Sequence, residues 1–194
     1  ELVGELTQNP IKMLIIACNT ASAVALGSLI DAVDPTGSVP ILGVIGPSAH
    51  GALLSPLAPA FKGRSKRKVA VIGTEGTIRR GAYQRALEGL HPGVEVMALP
   101  CPLFVPLVEE GILDGALPLL AAERYLGQVR AFEPDTMILG CTHYPLLRDV
   151  IAEVMGPNVT LVDSAAPTAR EAKAILNARG LARDDGTQGT IEFF

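Results

Sequence analysis

Two of the three cysteines in this chain sit where a thiol can do chemistry. Met13-Leu14-Ile15-Ile16-Ala17 ends at Cys18-Asn19-Thr20, and Met137-Ile138-Leu139-Gly140 ends at Cys141-Thr142-His143-Tyr144-Pro145. A short apolar run without polar interruption suits a strand buried on both faces of a parallel sheet. Each thiol then lies at the carboxyl end of a strand, where open α/β sheets place their ligands. Each also precedes a predicted helix, whose dipole favours the thiolate. A nucleophilic cysteine needs one thiol and one partner base. Two similar thiol sites suit a different task, the inversion of a stereocentre that bears a C–H. One group removes the proton from one face, and the other delivers a proton to the opposite face. His143 is placed to exchange a proton with Cys141. Asn19, Thr20 and Thr142, with the N–H groups of the helix starts, offer donors to substrate carboxylates.

The elements that position these residues alternate between strand and helix. Strands are predicted at 12–17, 40–45, 68–73, 94–99, 136–140 and 159–162. Helices are predicted from Thr20 to about Ala32, from Pro47 towards Phe61, from Thr77 to about Leu90, over 114–131, over 145–155 and from Ser164 to about Arg179. A short helical segment carries Glu109 and Glu110. Residues 1–9 read as the tail of a helix, Asp34-Pro35-Thr36-Gly37 as a turn, and 190–194 as a strand cut short. Such alternation implies α/β architecture with parallel sheets. The echo between the two cysteine strands points to two similar half-domains with a cleft between them. Residues 47–162 form one; residues 1–46 with 163–194 form what the sequence contains of the other.

Composition narrows the function classes. The chain has 194 residues, 48% of them hydrophobic and 19% charged, which permits a sizeable core and excludes wholesale disorder. A net charge of −4 argues against a general nucleic-acid surface. No apolar run approaches the roughly 20 residues that span a bilayer, and no secretory signal is visible. Three dispersed cysteines favour free thiols in a reducing cytoplasm over disulfides or a metal site. The basic cluster Lys62 to Lys68 reads as a solvated loop, and Cys101, between two prolines, as a packed, inert thiol. His50 and His91 read as solvated. Thr74 and Thr77 suit a helix start, and the Gly73-Thr74-Glu75-Gly76 segment lacks the lysine of a P-loop.

Four segments resemble bacterial glutamate racemase: Ile-Ala-Cys-Asn-Thr-Ala, Val-Ile-Gly-Thr-Glu-Gly-Thr, Cys-Pro-Leu-Phe-Val-Pro-Leu-Val-Glu and Ile-Leu-Gly-Cys-Thr-His-Tyr-Pro-Leu-Leu. Leu-Val-Asp-Ser and the terminal Glu-Phe-Phe are similar to its closing segment. Cys-Asn-Thr alone is shared with wider aspartate/glutamate racemase relatives; the Gly-Cys-Thr-His-Tyr-Pro block is more specific. The resemblance implies interconversion of L- and D-glutamate without cofactor or metal, supplying D-glutamate for peptidoglycan, by a cytoplasmic homodimer that binds neither membrane nor nucleic acid. It makes Cys18 and Cys141 the proton-transfer thiols, the first for the D- and the second for the L-enantiomer, with His143 assisting Cys141. It places Asn19, Thr20, Thr74, Thr77, Thr142, His143 and Glu109 at the substrate. The family's Asp-Ser-Gly-x-Gly-Gly and Tyr-Gly motifs do not occur here, so the first domain is expected to be incomplete. The alternatives are a racemase of aspartate or another acidic amino acid, or an inactive fragment that acts only as a binding module.

Overall fold

A computed structural model describes residues 11–33, 37–57, 62–183 and 185–193. The predicted helix at 1–9 and most of the predicted turn at 34–37 lie outside them. The chain is α/β with two parallel sheets. β1 (Leu14–Ile16) pairs with β2 (Ile41–Gly43), and α1 (Asn19–Val33) connects them. The larger sheet has the order β4-β3-β5-β6, from β3 (Lys68–Gly73), β4 (Glu95–Pro100), β5 (Thr136–Gly140) and β6 (Thr160–Val162). The chain leaves β3 towards β4, then crosses back to lay β5 on the other side of β3. Strand order therefore reverses between β3 and β5, which opens a crevice at their carboxyl ends.

β3 and β5 explain the uninterrupted apolar runs in the sequence. Ala70, Ile72, Met137 and Leu139 face one core with α5 (Phe104–Glu109), α6 (Ala116–Phe132) and α7 (Arg148–Met155). Val69, Val71 and Ile138 face the other, with α2 (Ile45–Leu54) and α4 (Ala82–Leu90). Both faces are covered, so no polar alternation survives. α8 (Ala165–Ala178) packs on α2, where Gly51 leaves room for Pro167.

Several expectations are corrected. β1 is not buried on both faces: Ile15 is 42% exposed, because among the described residues only β2 pairs with it. β2 stops at Gly43 and Val44 already caps α2, whose first turn accommodates Pro47. α2 ends at Leu54, not near Phe61, which lies outside the described residues. The helix predicted over 77–90 is two: α3 (Glu75–Arg79) and α4, divided at Gly81 with φ +63°. The 145–155 segment opens as a 3-10 turn, Tyr144–Leu147, before α7. Residues 190–193 form no strand and are exposed; no described strand offers them a ladder. The basic loop is more than solvated, since Arg64 and Arg67 both reach the fully buried Asp135.

Burial also sets the alkaline limit of the fold. Cys101 packs as an inert thiol, as its sequence context implies, and burial pushes it up to about 12. Burial likewise pushes Tyr83 up to about 12. The folded chain thus holds protons that the unfolded chain releases. Their contribution is complete below the ordinary thiol value of 9.0 and is lost as pH rises towards 12. Thermal melts are expected to be level up to about pH 9 and to fall steadily above it. Melting temperatures unchanged to pH 11 would contradict this account.

Candidate active site

The site is built at strand ends, as the sequence implies. Cys18 follows β1 and is exposed. It precedes α1, and the Ala21 N–H reaches its Sγ at 3.5 Å. Cys141 follows β5 and is buried. Gly140 lets the end of β5 lie close against β3 and Tyr83, because a Cβ at that position would lie 2.8 Å from the Ile72 carbonyl and 3.1 Å from the Tyr83 ring. Burial raises the Cys141 thiol above its ordinary value, and the charge of Cys18 raises it further. The backbone N–H groups of His143, Tyr144 and Thr142 oppose that rise. A charge on Cys18 therefore disfavours ionising Cys141.

His143 stands beside Cys141, with Nδ1 at 3.7 Å from Sγ. Its Nε2 meets the Glu109 carboxylate, brought by the end of α5. Nε2–H donating to Glu109 leaves Nδ1 as an acceptor for the thiol proton. The thiol, imidazole and carboxylate thus form a chain in which Glu109 orients His143. Glu110 is also exposed, and sequence alone does not say which of the two acids turns to the histidine. Thr142 is exposed at the same turn.

Thr20, Thr74 and Thr77 meet as a ring of hydroxyls. Thr20 Oγ1 is 2.9 Å from that of Thr74 and 3.0 Å from that of Thr77, and the last two are 3.1 Å apart. Thr74 also caps α3 by accepting the Thr77 N–H. The helix cap read from the sequence is present, and the ring in addition joins the end of β1 to the end of β3.

Asn19 is 2% exposed. Its Oδ1 accepts from the Tyr83 hydroxyl at 2.6 Å and from the Ser164 hydroxyl at 3.2 Å, while its Nδ2 is buried without a partner. An unmatched buried donor costs roughly 1–3 kcal/mol in the free protein. Sequence reasoning missed Tyr83 and Ser164 as parts of this cluster. Ser164 was visible in Leu-Val-Asp-Ser, but Tyr83 had no signal, because the break at Gly81 that turns it inward was hidden in a helical pattern.

A cavity of about 470 Å³ opens beside Cys141 and Thr142. Its walls are mostly apolar, including Ile15, Ala17, Val44, Pro145 and Ala165, and it touches none of the other predicted site residues. It therefore adjoins Cys141 and Thr142 alone among the predicted site residues. Among the described residues no group of three His, Cys, Asp or Glu side chains is disposed to hold a metal, and no helix is long and apolar enough to cross a membrane.

The model of the family described as Asp/Glu/Hydantoin racemase matches residues 1–172. The chain belongs to that family. It is 47% identical to the glutamate racemase of Geobacter metallireducens over 194 residues, which is 100% of this chain and 67% of that protein. It resembles the crystal structure of glutamate racemase isoform RacE1 from Bacillus anthracis with a TM-score of 0.81 at 38% identity, covering 93% of this chain and 63% of that one. The glutamate racemase of Francisella tularensis, solved in complex with D-glutamate, matches with a TM-score of 0.80 at 29% identity, covering 96% of this chain and 64% of that one. The chain thus spans about two thirds of the length of the racemases it matches.

Proposed function

We propose that this family member interconverts L- and D-glutamate through two thiols, without a cofactor. The observation that carries this reading is the pair Cys18 and Cys141, one at the end of a strand in each sheet and coupled through their charges. With L-glutamate, the Cys141 thiolate takes the α-proton and becomes a neutral thiol. The electron pair of the broken C–H bond delocalises into the adjacent carboxylate. The Cys18 thiol then protonates the opposite face, giving D-glutamate and a Cys18 thiolate. His143 passes the proton gained by Cys141 to solvent, and Glu109 holds the imidazole for that exchange. Asn19, Thr20, Thr74, Thr77 and Thr142 bind the substrate. The α-proton is a weak acid, so most of the catalytic work lies in orienting the C–H between the thiols and stabilising the carbanion-like charge.

The biological role that follows is supply of D-glutamate for peptidoglycan in the cytoplasm. The reading also divides the chain into residues 47–162 and residues 1–46 with 163–194. Supporting that division, Lys12 Nζ donates to the Leu181 carbonyl and Arg179 to that of Gly37, which ties the segment after β6 to the smaller sheet. Leu117 and Leu120, exposed on one face of α6, suit a homodimer contact. The acidic net charge supports a protein that does not bind nucleic acid.

Incubation with either enantiomer of glutamate in deuterated water tests the chemistry. The expected result is solvent deuterium at Cα of the inverted product, and no comparable exchange with aspartate. Inversion that retains the original α-hydrogen would rule out exchangeable thiols as the proton carriers.

A further inference from the structure

The O···O distance of 2.6 Å between Tyr83 and Asn19 lies in the range of an O–H···O bond and is shorter than a normal N–H···O bond. The oxygen of the amide therefore faces the phenol. Ser164 supplies a second donor to the same oxygen, and a carbonyl oxygen has two lone pairs to fill. The other arm of the planar amide, Nδ2, consequently points away from both hydroxyls. It is left buried and unpartnered, in a setting where buried polar groups almost always have a partner. It belongs to the residue next to Cys18.

Building on the racemase reading, we propose that Tyr83 and Ser164 are positioning residues that fix the Asn19 amide with Nδ2 committed to a carboxylate oxygen of the substrate. Three elements pin one amide: α1 provides Asn19, α4 provides Tyr83, and the turn after β6 provides Ser164. A carboxylate accepts the Nδ2 protons and ends their isolation. A ligand that presents a donor there meets two N–H groups and is refused. Burial keeps the Tyr83 phenol protonated to about 12, so it remains a donor across the working range. Tyr83 itself touches no substrate; it acts through Asn19.

The test is a double-mutant cycle on glutamate racemisation with Tyr83→Phe and Asn19→Ala. Tyr83→Phe is expected to raise KM roughly tenfold while leaving kcat within about twofold. Ser164→Ala should act in the same direction and less strongly. In the Asn19→Ala background, Tyr83→Phe should change KM no further; independent, multiplying effects would overturn the proposal. A second measurement does not need turnover. The sequence has four asparagines, at positions 9, 19, 158 and 177, so selective ¹⁵N-asparagine labelling resolves their side-chain amides. The Asn19 pair is expected to exchange slowly with solvent, and to move to the position and exchange rate of an exposed amide in the Tyr83→Phe, Ser164→Ala double variant. An Asn19 pair unaffected by both substitutions overturns the proposal. If the wild-type protein neither binds nor racemises glutamate, the racemase reading fails, and the amide measurement alone decides whether Tyr83 and Ser164 hold Asn19.

Discussion

Replacing Cys141 by serine is expected to lower glutamate racemisation by roughly 10²–10⁴-fold in both directions, the range lost when a positioned acid–base group is removed. Serine keeps the size and the backbone turn but is far too weak an acid to alternate between base and donor at neutral pH. The fold should persist, because the thiol contributes little to either core beyond its volume. The informative part is the asymmetry that remains. With Cys18 intact, D-glutamate should still exchange its α-hydrogen with deuterated solvent, since that face retains its base. L-glutamate should not. Full racemisation by the serine variant, or loss of exchange from both enantiomers alike, would defeat the assignment of one thiol to each face.

The largest effect on stability is expected far from the thiols, at Asp135. This side chain is fully buried before β5. Its Oδ2 accepts the Lys68 N–H at 2.7 Å, and its Oδ1 lies 3.4 Å from the Arg64 guanidinium. Arg67 Nε is 3.8 Å away, on a guanidinium that also donates to the Ala52 and Ser55 carbonyls at the end of α2. One carboxylate thus joins the start of β3, the start of β5 and the close of α2. Asp135→Ala takes the carboxylate from two guanidinium groups and leaves the Lys68 N–H bond unmade, and is expected to cost about 3–5 kcal/mol. For a chain of this length that lowers the melting temperature by roughly 10 °C. Asp135→Asn, which keeps an acceptor, should cost clearly less. A surface control, Glu75→Ala, removes only the exposed pair with Arg79 and should shift stability by less than about 0.5 kcal/mol. Equal losses from Asp135→Ala and the control would show that the carboxylate joins nothing of consequence.

The parts legible in the sequence are those set by local pattern. β3 and β5 are read directly, because strands covered on both faces carry uninterrupted apolar runs, here residues 69–72 and 137–139. The cysteine turns are legible because each combines a strand end with a helix start. Contacts between distant segments were not. Nothing around Lys62–Lys68 announces that two of its arginines converge on an acid 71 and 68 positions downstream. Tyr83 was lost for another reason. The residues around Gly81 keep a helical pattern across the break, and only the left-handed backbone of that glycine reveals it. β1 misled in the opposite sense. Its residues have the composition of a doubly covered strand, yet Ile15 faces outward, with β2 its one partner strand among the described residues. Composition reports what a strand tolerates, and coverage depends on which neighbours pack on it.

The ring of Thr20, Thr74 and Thr77 gives the contact between the two strand ends a particular character. It is a wettable seam. Each hydroxyl bond lost when the ring parts can be replaced by one to water, at a net cost of only about 0.5–1.5 kcal/mol. The two ends can therefore part and rejoin at little cost, with water standing in for the lost partners.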